Sequence, residues 1–181
     1  MEDFIKDFIK DVEIELSDEF DRNFERKAFF DKAWPAPRLS NSRGSTLMRS
    51  SALRRSIKSA SDENGITWKS PVSYATIHNE GGEITVTDKM KRFFWAMYYK
   101  SAGAITTKKN GEQSNSRRNQ MLTAEASRWK AMALLKVGSK IKIQQRQFIG
   151  NHPNVNRAIE QVWNDHFKDF ERHMQNILRR R

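Results

Sequence analysis

The chain has 181 residues, which fits one domain of ordinary size. It is 37% apolar and 30% charged, so much polar surface must be solvated or covered by partners. Cysteine is absent, which excludes disulfides, thiolate metal sites and cysteine nucleophiles and is typical of assembly in a reducing cytoplasm. The first ten residues include three acids in place of a basic leader, and no apolar run approaches the roughly 20 residues of a membrane span. We therefore expect neither secretion nor a membrane location.

The net charge of +11 is spread unevenly along the chain. Residues 1–40 hold 7 Lys/Arg against 11 Asp/Glu, residues 41–150 hold 20 against 7, and residues 151–181 hold 6 against 4. An acidic beginning therefore precedes a basic body. Two functional interpretations remain open: the basic surface faces DNA, or the acidic helix of one subunit docks on the basic face of the next. A third interpretation is that the basic surface is simply exposed to solvent and has no binding role.

The first predicted element is a long N-terminal helix. Its apolar residues recur every four positions, as on one side of a helix: Phe4, Phe8, Val12, Leu16, Phe20 and Phe24. We expect it to end near Phe29 and Phe30, because Pro35 and Pro37 follow. The helical N-terminal segment is accordingly assigned to residues 1–34.

Residues 45–150 predict an α+β body. Residues 66–70, 84–87 and 140–144 alternate apolar and polar side chains, which is typical of half-buried strands. We expect these strands to form a small antiparallel sheet packed with helices.

Helical spacing appears at several places within this body. It predicts a short basic helix over residues 47–57, one helical turn over 74–78, and helices over 89–100 and 124–135, the last stopped by Gly138. Residues 101–120 are polar and rich in Gly, Ser and Asn, which indicates a mobile loop.

A second long series of apolar residues at helical spacing predicts a C-terminal helix over residues 153–181, beginning at Pro153. No internal repeat is present. The sequence therefore predicts a single α+β domain over residues 1–181, with long amphipathic helices at both ends.

Residue patterns for catalysis or cofactor binding are missing from the sequence. His78 and Glu80 do not have the spacing of a zinc helix, and Gly81 and Gly82 stand outside any phosphate-loop pattern. Paired acids occur in charged or turn-like surroundings, where solvated side chains are the rule. We expect no catalytic residue, no metal and no cofactor, and hence a protein that is not an enzyme.

Four segments, taken in order, carry a resemblance to a known family. They are residues 29–34 followed by Pro35, residues 47–57, residues 74–82 and residues 142–150. Together they resemble the phage virion morphogenesis family, which includes the Mu-like and P2-like tail completion proteins and is similar to phage neck proteins. Two features depart from the family pattern: the segment before Phe148 lacks the usual proline, and residues 101–120 have no counterpart.

The resemblance implies a non-catalytic structural subunit of the virion, assembled in the host bacterial cytoplasm. Such subunits form homo-oligomeric rings at the head-to-tail junction and contact neck, portal-adaptor or tail proteins. Neck and tail-end placement, and six or twelve copies, all remain open. The resemblance implies structural packing and turn roles for these residues: Trp34, Tyr74, His78, Gly81, Gly82, Arg146, Phe148 and Gly150.

Two sets of residues are candidates for surfaces. The basic set, which would face DNA in the channel or another subunit, comprises Arg49, Arg54, Arg55, Lys58, Lys108, Lys109, Arg117 and Arg118. The aromatic set, assigned either to a helix core or to a subunit interface, comprises Phe93, Phe94, Trp95, Tyr98 and Tyr99.

The alternative function is a sequence-independent DNA- or RNA-binding protein. Basic pairs such as Arg54 and Arg55, with residues 179–181, would then contact phosphates. No sequence-reading motif accompanies them, so such binding would fall steeply with salt.

Overall fold

A computed structural model describes residues 2–36, 47–48, 50–62 and 65–179. Its fold class is the predicted one, α+β with long helices at both ends. The elements are α1 (Glu2–Arg26), β1 (Ala28–Phe29), β2 (Lys32–Ala33), α2 (Ala52–Ser56), β3 (Lys58–Asp62), β4 (Gly65–Lys69), α3 (Ala75–Glu80), β5 (Gly82–Thr85), α4 (Asp88–Gly103), α5 (Arg117–Ala133), β6 (Lys140–Ile143) and α6 (Pro153–Arg179). The strands pair as three separate two-stranded antiparallel sheets, β1 with β2, β3 with β4, and β5 with β6.

The single domain predicted over residues 1–181 is divided into two compact units. The terminal unit combines Met1–Gly81 with Gln144–Arg181, and the inserted unit is Gly82–Ile143. The predicted body over residues 45–150 is therefore shared between the two units.

Helix α1 provides the core of the terminal unit. Val12, Leu16, Phe20 and Phe24 from its predicted stripe are all buried. The helix ends at Arg26, earlier than the predicted end near Phe29 and Phe30, because Lys27 takes a left-handed conformation with φ 54°. Ala28 and Phe29 then form the short hairpin of β1 with β2 instead of a last helical turn.

Helices α1 and α6 run antiparallel against each other. The Phe4 ring lies 5.9 Å from that of Phe170 near the start of α1, while Val155 near the start of α6 packs on the cluster that contains Phe20. Asp11 and His166 join the two helices through a contact of 2.7 Å between carboxylate and ring nitrogen. The terminal helices therefore pack on each other within one chain.

The hairpin of β3 with β4 covers another side of α1. Ser59 is opposite Trp68, whose ring meets that of Phe20 at 5.1 Å and whose Nε1 donates to Ser17 Oγ at 2.9 Å. Strand β3 was not predicted. The helix predicted over residues 47–57 is confined to Ala52–Ser56, and Leu47 and Ser51 both have positive φ.

The inserted unit consists of the β5–β6 pair and a helical hairpin. Strand β5 pairs with β6 from Gly82 opposite Ile143 to Thr85 opposite Lys140. Helices α4 and α5 pack through Phe94, Ala126 and Ala133, and the Phe94 ring stacks on Trp129 at 6.0 Å. The α5 helix ends at Ala133, two residues before its predicted end at residue 135.

The loop predicted over residues 101–120 is shorter in the structure. Residues 101–103 complete α4 and residues 117–120 begin α5, which leaves residues 104–116 as the connection. Asn119 is fully buried and holds this connection, since its Nδ2 donates to the carbonyls of Thr106 and Ser114, each at 2.7 Å. Hydrogen bonds to one buried amide thus order a segment that composition alone describes as loop.

Candidate functional site

The four segments that carry the family resemblance meet around Phe148 in the terminal unit. Phe148 is 1% exposed and forms one apolar cluster with Phe24, Leu53 and Ala75. Trp34 packs against this cluster, and its ring stands edge-on to Phe24 at 5.6 Å. We call this group of residues the motif cluster. It joins one side chain from each of four segments that are far apart in sequence.

Asn79 links the third and fourth segments through the backbone. Its Oδ1 accepts the N–H groups of Phe148 at 2.9 Å and Ile149 at 3.1 Å. In return, Gln145 Nε2 donates to the Asn79 carbonyl at 3.1 Å, and the Arg146 N–H donates to the His78 carbonyl at 2.7 Å. These bonds satisfy backbone groups that no sheet partner reaches.

Two further polar side chains tie the same part of the fourth segment to the first segment. Trp34 Nε1 donates to the Gln147 carbonyl at 2.5 Å. Asn23 is fully buried on α1, where its Nδ2 donates to the Phe148 carbonyl at 3.2 Å and its Oδ1 accepts the Phe30 N–H at 2.9 Å. Sequence reasoning missed both Asn23 and Asn79. The signal available for Asn23 was its position next to Phe24, beside the apolar stripe of α1.

The predicted turn glycines occupy backbone conformations that other residues rarely adopt. Gly81 has φ 76° and ψ −175°, and a Cβ placed there would lie 3.1 Å from Gln145 N. Gly82 and Gly150 also have positive φ. At Gly150 a Cβ would meet Gln147 Nε2 at 2.6 Å. The close approach of the Gln145 backbone to residue 81 therefore requires glycine.

His78 and Arg146 form a basic pair at the edge of the motif cluster. His78 Nδ1 is buried and has no hydrogen-bond partner among the residues that the structure describes. Burial lowers the pKa of His78, and the charge of Arg146 lowers it further. Arg146 is 7% exposed, donates from Nε to the Pro35 carbonyl at 3.2 Å, and has its pKa lowered by burial. The arrangement favours a neutral imidazole beside a buried guanidinium.

Tyr74 lies at the surface rather than within the packing. Its side chain is exposed, and its ring stands edge-on to that of His78 at 5.9 Å. In the sequence, Tyr74 directly precedes α3.

The residues of the predicted basic set differ in their contacts. Arg54 binds Asp21 through two nitrogens and Glu25 at 2.7 Å, so it holds α2 against α1. The prediction that Arg54 faces DNA is therefore corrected: it forms ion pairs within its own chain. These carboxylates raise its pKa. Arg55 donates to the Ser50 carbonyl at 2.9 Å, Lys58 is exposed on β3, and Arg49 lies outside the described residues.

The remaining basic residues lie in the inserted unit. Lys108 and Glu112 form an ion pair of 3.8 Å within the connection between α4 and α5. Lys109 is exposed in the same connection, and Arg117 and Arg118 are exposed at the start of α5. The inserted unit as a whole holds 13 Lys/Arg against 4 Asp/Glu, whereas the terminal unit holds 20 against 18. The net charge is therefore +9 in the inserted unit and +2 in the terminal unit.

The predicted aromatic set also divides. Phe94 is 5% exposed and belongs to the core between α4 and α5, which corrects its candidacy for an interface. Phe93 is exposed but meets Trp129 edge-on at 5.8 Å. Trp95, Tyr98 and Tyr99 form a separate group on another side of α4, with the Trp95 and Tyr99 rings stacked at 5.9 Å.

Helix α6 carries a row of large apolar side chains that remain exposed. Their spacing of four, three, four and four residues places them along one side of the helix, and each is between 41% and 66% exposed. The row, called the α6 row below, comprises Trp163, Phe167, Phe170, Met174 and Leu178.

The chain matches no family model, no curated protein and no solved structure. Within the ranges described, no helix has the length and hydropathy needed to cross a bilayer. Across those same ranges, no group of three or more His, Asp and Glu side chains is arranged to hold a metal ion.

Proposed function

We propose that this chain is a non-enzymatic structural subunit of a bacteriophage head-to-tail junction, assembling with copies of itself into a ring between portal complex and tail. The observation that carries the proposal is the motif cluster. Segments that resemble the virion morphogenesis family in sequence order meet around Phe148, where side chains and backbone groups from all four are in contact or hydrogen bonded. If the similarity of the four segments to the family were due to chance, there would be no reason for them to meet in the folded chain.

The α6 row supplies a surface on which copies could associate. Apolar side chains of this size, exposed together along one helix, exceed the scattered apolar residues of an ordinary surface and are typical of protein interaction sites. The α1–α6 pair does not cover Phe167 or Met174, which are half exposed. We therefore place subunit contact on the α6 row.

Molar mass in solution tests the self-association that the proposal requires. We expect the protein to elute as a multiple of its 21.2 kDa chain mass in size-exclusion chromatography with light scattering. Phe167→Ser combined with Met174→Ser should shift the mass toward one chain, because both side chains lose apolar contact area. Lys168→Ser with Arg172→Ser changes the opposite, charged side of α6 and is the matched control. A wild-type protein that stays monomeric contradicts the ring.

Placement in the particle is tested separately. Immunogold labelling of virions whose genome encodes this chain should mark the end where head and tail join. Label that is missing from both the neck and the tail ends of mature particles would exclude the junction role.

A further inference from the structure

One side of α4 interleaves cations with aromatic rings. Trp95 lies three or four residues from each of the other four members, which places all five on a common side: Lys91, Arg92, Trp95, Tyr98 and Tyr99. Tyr99 is 66% exposed, and Lys130 from α5 adds its Nζ 5.9 Å from the centre of the Tyr98 ring. We call these six residues the α4 face.

The described part of the chain does not neutralise the cations of the α4 face. Among the residues that the structure describes, Lys91, Arg92 and Lys130 form no ion pair. The inserted unit has only four acids. Glu83 pairs with Lys140 at 3.0 Å, and Glu112 pairs with Lys108. Asp88 lies in the first turn of α4, where the helix dipole favours it, and Glu125 accepts a hydrogen bond from Trp129 Nε1 at 3.3 Å. A unit with a net charge of +9 therefore presents cations available for an external anion.

The acidic helix is a poor candidate for that anion. Five carboxylates of α1 already have partners in their own chain: Asp11 with His166, Glu13 with Ser61, Glu19 with Arg22 and Arg26, and Asp21 and Glu25 with Arg54. Docking these carboxylates on a neighbour's basic face would compete with these contacts. The charge of the inserted unit is better matched by a polyanion from outside.

We propose that the α4 face binds single-stranded nucleic acid without reading its sequence. Lys91, Arg92 and Lys130 would contact phosphates. The exposed Tyr99 ring, backed by the Trp95 ring stacked against it, offers a surface on which an unpaired base can stack. A duplex hides its base faces within the helical stack, so it could use only the cations. This inference does not rest on the junction role, and its failure leaves the α6 row and the ring untouched.

Anisotropy of a fluorescein-labelled 20-nucleotide oligo-dT, titrated with the full 181-residue protein, tests the proposal. We expect tighter binding of the single strand than of a duplex of equal length. Three phosphate contacts predict roughly a 20-fold loss of affinity between 50 and 200 mM salt, because the slope for single strands is about −0.7 per contact. Lys91→Gln with Arg92→Gln should weaken binding and reduce that slope to about one third.

Matched variants locate the site and separate charge from stacking. Lys89→Gln with Lys100→Gln removes the same charge from the other side of α4 and should leave the salt slope closer to wild type. Tyr99→Leu keeps an apolar side chain but loses the ring, so affinity should fall roughly 5- to 100-fold, whereas Tyr99→Phe should bind within about twofold of wild type. Far-UV circular dichroism checks that each variant is folded.

The proposal is overturned by any of four results: no change of anisotropy at 50 mM salt, tighter binding of duplex than of single strand, equal losses from the two double variants, or unchanged affinity of Tyr99→Leu. The first of these is also what a surface reserved for a protein partner would give.

Discussion

At the scale of single residues, the terminal unit depends on polar side chains that bond to backbone rather than to one another. Asn23 and Asn79 together engage both backbone hydrogen-bonding groups of Phe148 and one each of Phe30 and Ile149. Removing either amide would strand buried donors or acceptors, which costs about 1–3 kcal/mol for each group left unpaired. The segment that carries Phe148 lies beyond the end of β6 and is thus held by side chains instead of a neighbouring strand.

His78 makes the stability of the fold depend on pH. Its folded-state pKa is lowered by burial and by Arg146, so the unfolded chain binds a proton at higher pH than the folded chain does. The stabilisation is complete above the ordinary histidine pKa of about 6.5 and is lost as pH falls from there through the lowered folded-state pKa. We expect the urea midpoint to fall as pH is lowered below about 6.5.

The variant His78→Gln isolates this contribution, since the two proteins differ only at this side chain. The difference between the two midpoint curves should be constant above pH 7 and change below it, with the wild type losing more stability. Parallel curves throughout this range would show that His78 does not carry the effect.

At the scale of elements, sequence periodicity predicted the elements whose apolar side chains recur at regular spacing. It missed a strand that is defined only by its backbone pairing. Both terminal helices were predicted because apolar side chains recur along one side of each; that side is buried in α1, and in α6 it is partly buried near the start and exposed further along. Strand β3 was missed because its residues are mostly exposed and show no alternation, so that only the partner β4 identifies it. The α5 start was placed too late because its first turn is polar; Ser116 Oγ caps it by accepting the Asn119 N–H at 3.2 Å.

The turn between α3 and β5 depends on Gly81. Its φ and ψ lie in a region that is essentially restricted to glycine, and an added Cβ would crowd the backbone of Gln145. We expect Gly81→Ala to lower the free energy of unfolding by about 2–4 kcal/mol. Gly111 has a similar φ of 82° with open space around it, so Gly111→Ala should cost only about 1 kcal/mol.

Urea denaturation of both alanine variants measures the difference. Equal losses would mean that positive φ alone accounts for the glycine, and that the close approach of Gln145 to Gly81 contributes nothing.

At the scale of the whole molecule, charge follows the division into units, which the sequence did not reveal. The acidic-to-basic change along the chain was visible, but its boundaries at residues 40 and 150 both fall inside the terminal unit. Arg54 was grouped with the DNA-facing cations because a sequence does not show that Asp21 and Glu25 lie beside it. Likewise, helical spacing placed Phe94 among the aromatics of α4, but only packing against α5 shows that it is buried.

The division also predicts that the helical hairpin is separable from the fold of the terminal unit. Thr85 and Lys140 are paired opposite each other, so an Asn-Gly turn could replace residues 86–139 without altering the β5–β6 register. The motif cluster, the α1–α6 pair and the α6 row all lie outside the deleted residues. We expect the shortened chain to unfold cooperatively on heating, to keep the oligomeric state of the full chain and to lose oligonucleotide binding. A shortened chain that lacks a cooperative transition would show that the terminal unit needs the hairpin to fold, whereas retained oligonucleotide binding would place the nucleic-acid contact outside the α4 face.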